Sequence, residues 1–270
     1  MAGGHLSRFQ GRGVEFDEVR PYQPGDEIRN MDWRVTARTG KPHTKLFREE
    51  RERPALLLLD LRPAMFFATQ GALKSVIAAE CASLLAWSVV HQGDRVGALI
   101  VDASNQAATV RPSRGKRSVM RMLGQITDHP QWTQRVPDSG ESLLLPLQRA
   151  SHAARAGSLM LIVSDGRGLD DASQALLRQL LKHHQIVFVM VFDPFEKRLP
   201  DTGVLQAFDG QTVRELNAAD ARVRGQLAEH FHARHARLQE LAKMPGFFLI
   251  ECATTDDPYT ALQATLGVVR

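Results

Sequence analysis

The sequence predicts an α/β fold: a doubly wound, mostly parallel sheet with helices on both faces. Three observations predict it. From Pro54 onward, short apolar runs alternate with stretches of helical periodicity. Two runs, Leu56–Leu59 and Ile186–Phe192, are apolar throughout, as strands covered on both faces must be. Finally, strands alternating with helices require right-handed crossovers, which set the strands parallel.

The elements follow in order. Ala55–Asp60 is a strand, and Gly71–Gln92 a helix with Leu73, Ile77, Leu84 and Leu85 among its apolar positions and Gly93 just past its end. Arg95–Val101 is a strand, and Ala107–Arg111 pairs with it as a short edge hairpin. Lys116–Ile126 is a helix, followed by a loop holding Pro130, Pro137 and Gly140, then a helix over Leu143–Ala156. Ser158–Val163 is a strand running into Ser164-Asp165-Gly166, with a helix over Ala172–His184 behind it. The strand Ile186–Phe192 ends at Asp193-Pro194; a small hairpin over Val204–Leu216 turns at Asp209-Gly210. Asp220–Lys243 is a long basic helix, Phe247–Glu251 the last strand and Tyr259–Leu266 a closing helix. Residues 1–53 stand apart. They are dense in Arg, Asp, Glu and Gly, carry Pro21, Pro24 and Pro42, and lack an apolar stripe. They read as an extended arm or small subdomain ahead of a domain over 54–270.

Composition narrows the function classes. At 43% apolar and 24% charged, the 270-residue chain is globular, not disordered or repetitive. No apolar run approaches the roughly 18 residues of a membrane span, and Met-Ala-Gly-Gly-His opens no signal peptide. Cys81 and Cys252 sit far apart among apolar residues, as buried thiols of a reducing compartment do. A cytoplasmic location is therefore expected. The net charge of +4 tolerates an acidic partner without demanding one, because acids and bases are interleaved.

The first strand ends in Asp60 and a later one in Asp165. In open sheets of this type, ligands bind beyond the carboxyl ends of the strands, where strand order reverses. If the two strands are central neighbours, both carboxylates meet there. The pattern Asp60-x-Arg62-x-Ala64, a loop Gly140-Glu141-Ser142 opening a helix, and Ser164-Asp165-Gly166 together resemble a von Willebrand factor A domain. In that family a metal-ion-dependent adhesion site combines Asp-x-Ser-x-Ser, a loop threonine and the Asp of a Thr/Ser-Asp-Gly turn around a hard cation. Asp60, Ser142 and Asp165 match three of those positions; Arg62 and Ala64 stand on the two serines. An arginine repels a divalent ion but neutralises carboxylates through bidentate hydrogen bonds. Arg62 is therefore expected to take the place of the metal by donating to Asp60 or Asp165, leaving a degenerate site with no cofactor. The alternatives are a residual Mg²⁺ site of Asp60, Ser142 and Asp165, or an Arg62 that points into solvent.

The arm reads Gly11-Arg-Gly-Val-Glu-Phe-Asp-Glu-Val-Arg20-Pro-Tyr22-Gln-Pro-Gly25-Asp26-Glu-Ile-Arg29-Asn-Met-Asp32-Trp33 and continues to Ala37-Arg38. This resembles the signature of the family known as domain of unknown function 58, in which an A-like fold follows such an arm. The likeness extends from about Arg8 to the chain end, including the Asp193-Pro-Phe-Glu196 turn. It implies a bacterial protein, commonly encoded beside a MoxR-type AAA+ ATPase and working with it on client proteins. Many members carry transmembrane helices ahead of the arm; none is predicted within this chain. Arg20, Tyr22, Gly25, Asp26, Arg29, Asp32, Trp33 and Arg38 are then candidates for a partner-binding surface. The plainer alternative is a clasp tied down by ion pairs and by packing of Trp33.

Other signals are weak. Arg111, Arg114, Lys116, Arg117 and Arg121 cluster at a helix start, but without interleaved aromatics nucleic acid is not expected. Gly115-Lys116 is followed by Arg117, so no nucleotide loop is present there. His230, His232 and His235 lack the i,i+4 spacing and the further ligands that zinc needs. No nucleophile elbow or Cys-His arrangement supports an enzyme, and hydrolysis by Asp60 and Asp165 is the weakest reading. The expectation is a non-catalytic protein-interaction module, partner of a MoxR-type AAA+ ATPase; the rival is a Mg²⁺-dependent ligand-binding A domain.

Overall fold

The structure is a computed structural model describing residues 14–49, 54–102, 107–134, 142–201, 203–208 and 213–266. Gly11–Gly13 of the arm signature, the loop with Pro137 and Gly140-Glu141, and the Asp209-Gly210 turn lie outside the described residues. The chain divides into two compact units, Met1–Glu52 and Arg53–Arg270.

In the first unit, β1 (Val14–Pro21) pairs antiparallel with β2 (His43–Glu49). The connection holds a 3₁₀ turn at Ile28–Asn30 and a short helix, α1 (Trp33–Thr39). Asp32 starts α1 by accepting from the Arg34 and Val35 backbone N–H groups, and Gly40 at φ +69° ends it. Residues 14–49 thus form a hairpin with a helical connection.

The second unit runs β3 (Ala55–Asp60), α2 (Lys74–His91), β4 (Val96–Val101), β5 (Ala107–Ser113), α3 (Lys116–Thr127), α4 (Leu144–Ala153), β6 (Leu159–Ser164), α5 (Asp171–Leu180) and β7 (Gln185–Phe192). It continues with α6 (Pro194–Lys197), the hairpin β8 (Val204–Phe208) and β9 (Val213–Asn217), α7 (Ala221–Ala242), β10 (Phe247–Ala253) and α8 (Pro258–Leu266). Six strands form one sheet in the order β10-β7-β6-β3-β4-β5, parallel except for the antiparallel edge strand β5. Strand order reverses at β3, which lies between β4 and β6. Sequential strands run outward in one direction up to β5, and β6 then starts the other half on the opposite side of β3.

Each face of the sheet is buried by helices. Leu57 and Leu59 belong to the core shared with α2, α3 and α8; Leu56 and Leu58 face the one built with α4, α5 and α7. This two-sided covering is the reason the leucine run contains no polar residue. Cys81 on α2 and Cys252 on β10 are free and buried. The neighbouring Cys252 thiol, with burial, pushes the Cys81 thiol far up. Helix α2 begins at Lys74, later than Gly71. Gly71 has φ +75°, and a Cβ there would lie 2.1 Å from the Thr254 carbonyl oxygen, so the chain turns under that loop before the helix starts.

Candidate functional site

Asp60 ends β3 and Asp165 follows the end of β6, and the two strands are adjacent. Both carboxylates are fully buried. Burial of two acids side by side demands positive charge, since like charges in poor solvent destabilise each other. Two buried cations supply it at hydrogen-bonding distance.

The first is Arg62. Its Nε donates to Asp60 Oδ1 at 2.9 Å and its Nη2 to Oδ2 at 2.8 Å, an edge-on bidentate pair. The Arg62 backbone N–H donates to Oδ1 at 3.0 Å, and Ser164 Oγ donates to Oδ2 at 2.7 Å. Nη2 also reaches the Arg167 carbonyl at 2.9 Å, tying the β3 end to the loop after β6. Arg62 lies over the strand end, buried, and not in solvent.

The second cation is Lys74, which the sequence did not single out. It is the first residue of α2 and is fully buried. Its Nζ donates to Asp165 Oδ2 at 2.7 Å and to Glu196 Oε1 at 2.9 Å, and it sits 5.8 Å from the centroid of Phe67. Arg167 donates its backbone N–H to Asp165 Oδ1 at 2.9 Å and its Nη2 to Glu196 Oε1 at 3.0 Å. Burial works to raise the Asp165 carboxyl pKa, but Lys74, then Arg167 and Arg234, outweigh it and hold the group well below the usual carboxylate range.

Glu196 reaches this cluster because α6 is built to aim it. Asp193 caps α6 through the Phe195 N–H at 2.9 Å, and Glu196 Oε2 accepts the Asp193 N–H at 3.2 Å, a reciprocal capping box. Asp193 is itself buried and accepts Thr69 N–H at 2.7 Å, Thr69 Oγ1 at 2.6 Å and Thr254 Oγ1 at 3.1 Å. The Asp193-Pro-Phe-Glu196 turn is thus the joint that links the end of β7 to the strand-end cluster.

Ser142 is not part of that cluster. Its Oγ donates to Asp170 Oδ2 at 2.7 Å and accepts the Leu144 N–H at 3.1 Å, helping to open α4. Ala64 lines the cavity in front of the cluster and has no side-chain oxygen. A divalent cation does not fit this donor set. Asp60 already receives three N–H donors and a hydroxyl, Asp165 holds an ammonium, and a metal would have to displace permanent cations. No carboxylate here faces a nucleophile as a base; each is engaged by a positive or hydrogen-bonding partner. Among the described residues no group of His, Cys, Asp and Glu could hold a metal. His235 instead pairs with Glu251 at 2.7 Å.

In the first unit, Arg20 Nη2 donates to Asp26 Oδ1 at 2.7 Å, and Asp26 Oδ2 accepts the Gln23 N–H at 2.9 Å. Gly25 turns at φ +108° between them. The Tyr22 N–H donates to the Pro42 carbonyl, and Asp32 caps α1 with Lys45 3.7 Å away. These bonds hold a connection whose outer residues are uncovered: Trp33 is 64% exposed and Ile28 67%, with Arg29 and Arg38 exposed beside them. Trp33 is the first residue of a helix capped by Asp32, a position set by backbone bonds and not by burial.

No helix among the described residues is long and apolar enough to cross a membrane. A protein of Mycobacterium tuberculosis described as "Uncharacterized protein Rv1480" is 32% identical over 260 residues, 95% of this chain and 80% of that protein. Among solved structures, BatB from Bacteroides thetaiotaomicron, a conserved hypothetical protein, aligns with TM-score 0.47 at 11% identity over 80% of this chain and 97% of that one. A von Willebrand factor type A protein from Catenulispora acidiphila aligns with TM-score 0.39 at 11% identity over 82% of this chain and 42% of that one. The family model described as "Protein of unknown function DUF58" matches residues 18–237, which run from β1 through most of α7 and include Asp60, Arg62, Lys74, Asp165, Asp193 and Glu196. The chain belongs to the DUF58 family, and its central sheet is doubly wound and mostly parallel.

Proposed function

We propose that this chain is a non-catalytic protein-interaction module that works with a MoxR-type AAA+ ATPase, docking on it through the connection between β1 and β2. The observation that carries this reading is the exposure of Trp33 and Ile28 on a connection fixed by its own hydrogen bonds. A large aromatic and an aliphatic side chain, flanked by Arg29, Arg34 and Arg38, form the composition of an interface hot spot. Holding them in place beforehand lowers the ordering entropy lost on binding. The family resemblance supplies the ATPase as partner, and the chain has no lysine-bearing phosphate loop of its own. ATP hydrolysis is therefore assigned to the partner, and client selection to this chain.

The test is capture of the MoxR-type ATPase of the same organism by the immobilised protein in Mg²⁺-ATP. Because both side chains are exposed, Trp33→Ala with Ile28→Ala should leave the melting temperature unchanged while weakening capture by at least roughly tenfold, as loss of a hot spot does. A wild-type protein that captures no ATPase with or without nucleotide, or a double variant that binds as well as wild type, sinks the reading.

A further inference from the structure

The whole chain carries a net charge of +4, and one stretch of it carries more than that. No acid stands between Asp102 and Asp128, while Arg111, Arg114, Lys116, Arg117 and Arg121 do. All five are exposed. They occupy the end of the edge strand β5, the turn at Gly115 and the first turns of α3. Among the described residues, Arg111, Lys116, Arg117 and Arg121 have no acidic partner, so their charge is not cancelled locally.

The packing of α3 fixes where this charge points. Val119, Met122 and Ile126 bury one side of the helix in the core, and Ser118 Oγ donates to the Val96 carbonyl at 2.8 Å. With about 3.6 residues per turn, Lys116, Arg117, Met120 and Arg121 fall on the opposite side. Met120 stands among these cations 59% exposed.

We propose that this face of α3, with the end of β5, docks on an anionic lipid surface. The basic side chains meet the lipid phosphates, and Met120 enters the apolar boundary beneath them, as a basic amphipathic face does on a bilayer. RNA is disfavoured because the patch offers no aromatic side chain on which bases could stack. A folded protein partner presents charges of both signs, whereas a patch of a single sign fits a surface of a single sign. Nothing in this rests on the Trp33 surface.

The experiment is flotation of the full chain with vesicles of phosphatidylcholine alone and of phosphatidylcholine mixed with phosphatidylglycerol. The protein should float with the anionic vesicles only, and rising salt should release it. Each cation near such a surface strengthens binding about fivefold, so Lys116→Gln, Arg117→Gln and Arg121→Gln together should weaken it by roughly 100-fold. Met120→Ser should weaken it at least about threefold with every charge in place. All four side chains are exposed, so the variants should melt as wild type does. The comparison of the two vesicles needs no variant. Equal flotation with both vesicles, flotation with neither, or a triple variant or Met120→Ser that binds as wild type overturns the proposal. So does displacement from the anionic vesicles by an equal charge of single-stranded RNA or polyglutamate.

Discussion

Lys74 places an ammonium with no solvent exposure between Asp165 and Glu196. A buried ion pair contributes little net stability beside an apolar substitute, but one partner left alone is expensive, because its desolvation is no longer offset. Lys74→Met should therefore destabilise the fold by about 3–5 kcal/mol. Adding Asp165→Asn should recover part of that loss, so that the double variant falls short of the sum of the singles by roughly 1–3 kcal/mol in urea unfolding. Strict additivity would mean that the two charges do not depend on each other. Asp60 and Asp165 were legible in the sequence, since each stands at the end of an apolar strand, and Arg62 is two residues from the Asp60 it holds; Glu196, on α6, was not. Neither was Lys74. It is 91 residues from Asp165, and a lysine at a helix start ordinarily reads as solvated. Its one signal is that Ile77, Ala78 and Cys81, which share its face of the helix, are apolar.

Among the elements, the strands were the most legible, because a run that must be apolar on both faces leaves little ambiguity. The connections were less so. Ser142 looks like a cation ligand by its loop position, but its nearest acceptor is Asp170, and its accepted bond from Leu144 makes it part of the α4 start. The Asp193-Pro-Phe-Glu196 turn reads as punctuation in sequence, and in structure it is a capped helical turn on which the cluster depends. Its chemistry has a pH signature. Burial works to raise the Asp193 pKa, but the Thr69 hydroxyl and N–H, the Phe195 N–H and Thr254 outweigh it, so the folded value lies below the ordinary 3.8. Asp165 is depressed in the same way by Lys74 and the two arginines against its own burial. A depressed carboxyl adds stability that is complete above the unfolded value and is lost as pH falls through the folded one. Unfolding free energy should accordingly hold steady down to about pH 5 and fall steeply below about pH 4. Asp193→Asn should be less stable at neutral pH and show a shallower acid decline in denaturant titrations. An unaltered slope would remove Asp193 from the acid response.

At the scale of the whole molecule, the doubly wound sheet brings the β3 and β6 ends together, and such a crevice ordinarily receives a ligand. Here the crevice floor is closed by side chains of the chain itself. Arg62 neutralises Asp60 from the loop after β3, and Lys74 neutralises Asp165 from the start of α2. The cation requirement of the strand ends is met internally. The direct measurement is the thermal unfolding midpoint of the wild-type protein in EDTA and in millimolar Mg²⁺ or Mn²⁺. A bound metal stabilises the folded state by an amount set by its concentration over its dissociation constant, so a specific site reports itself as a rising midpoint. The expected midpoints agree within about 1 °C, because both carboxylates are already paired. A midpoint that climbs by several degrees with Mg²⁺, and no longer does so in Asp60→Asn, would show that a metal and not Arg62 and Lys74 closes the strand ends.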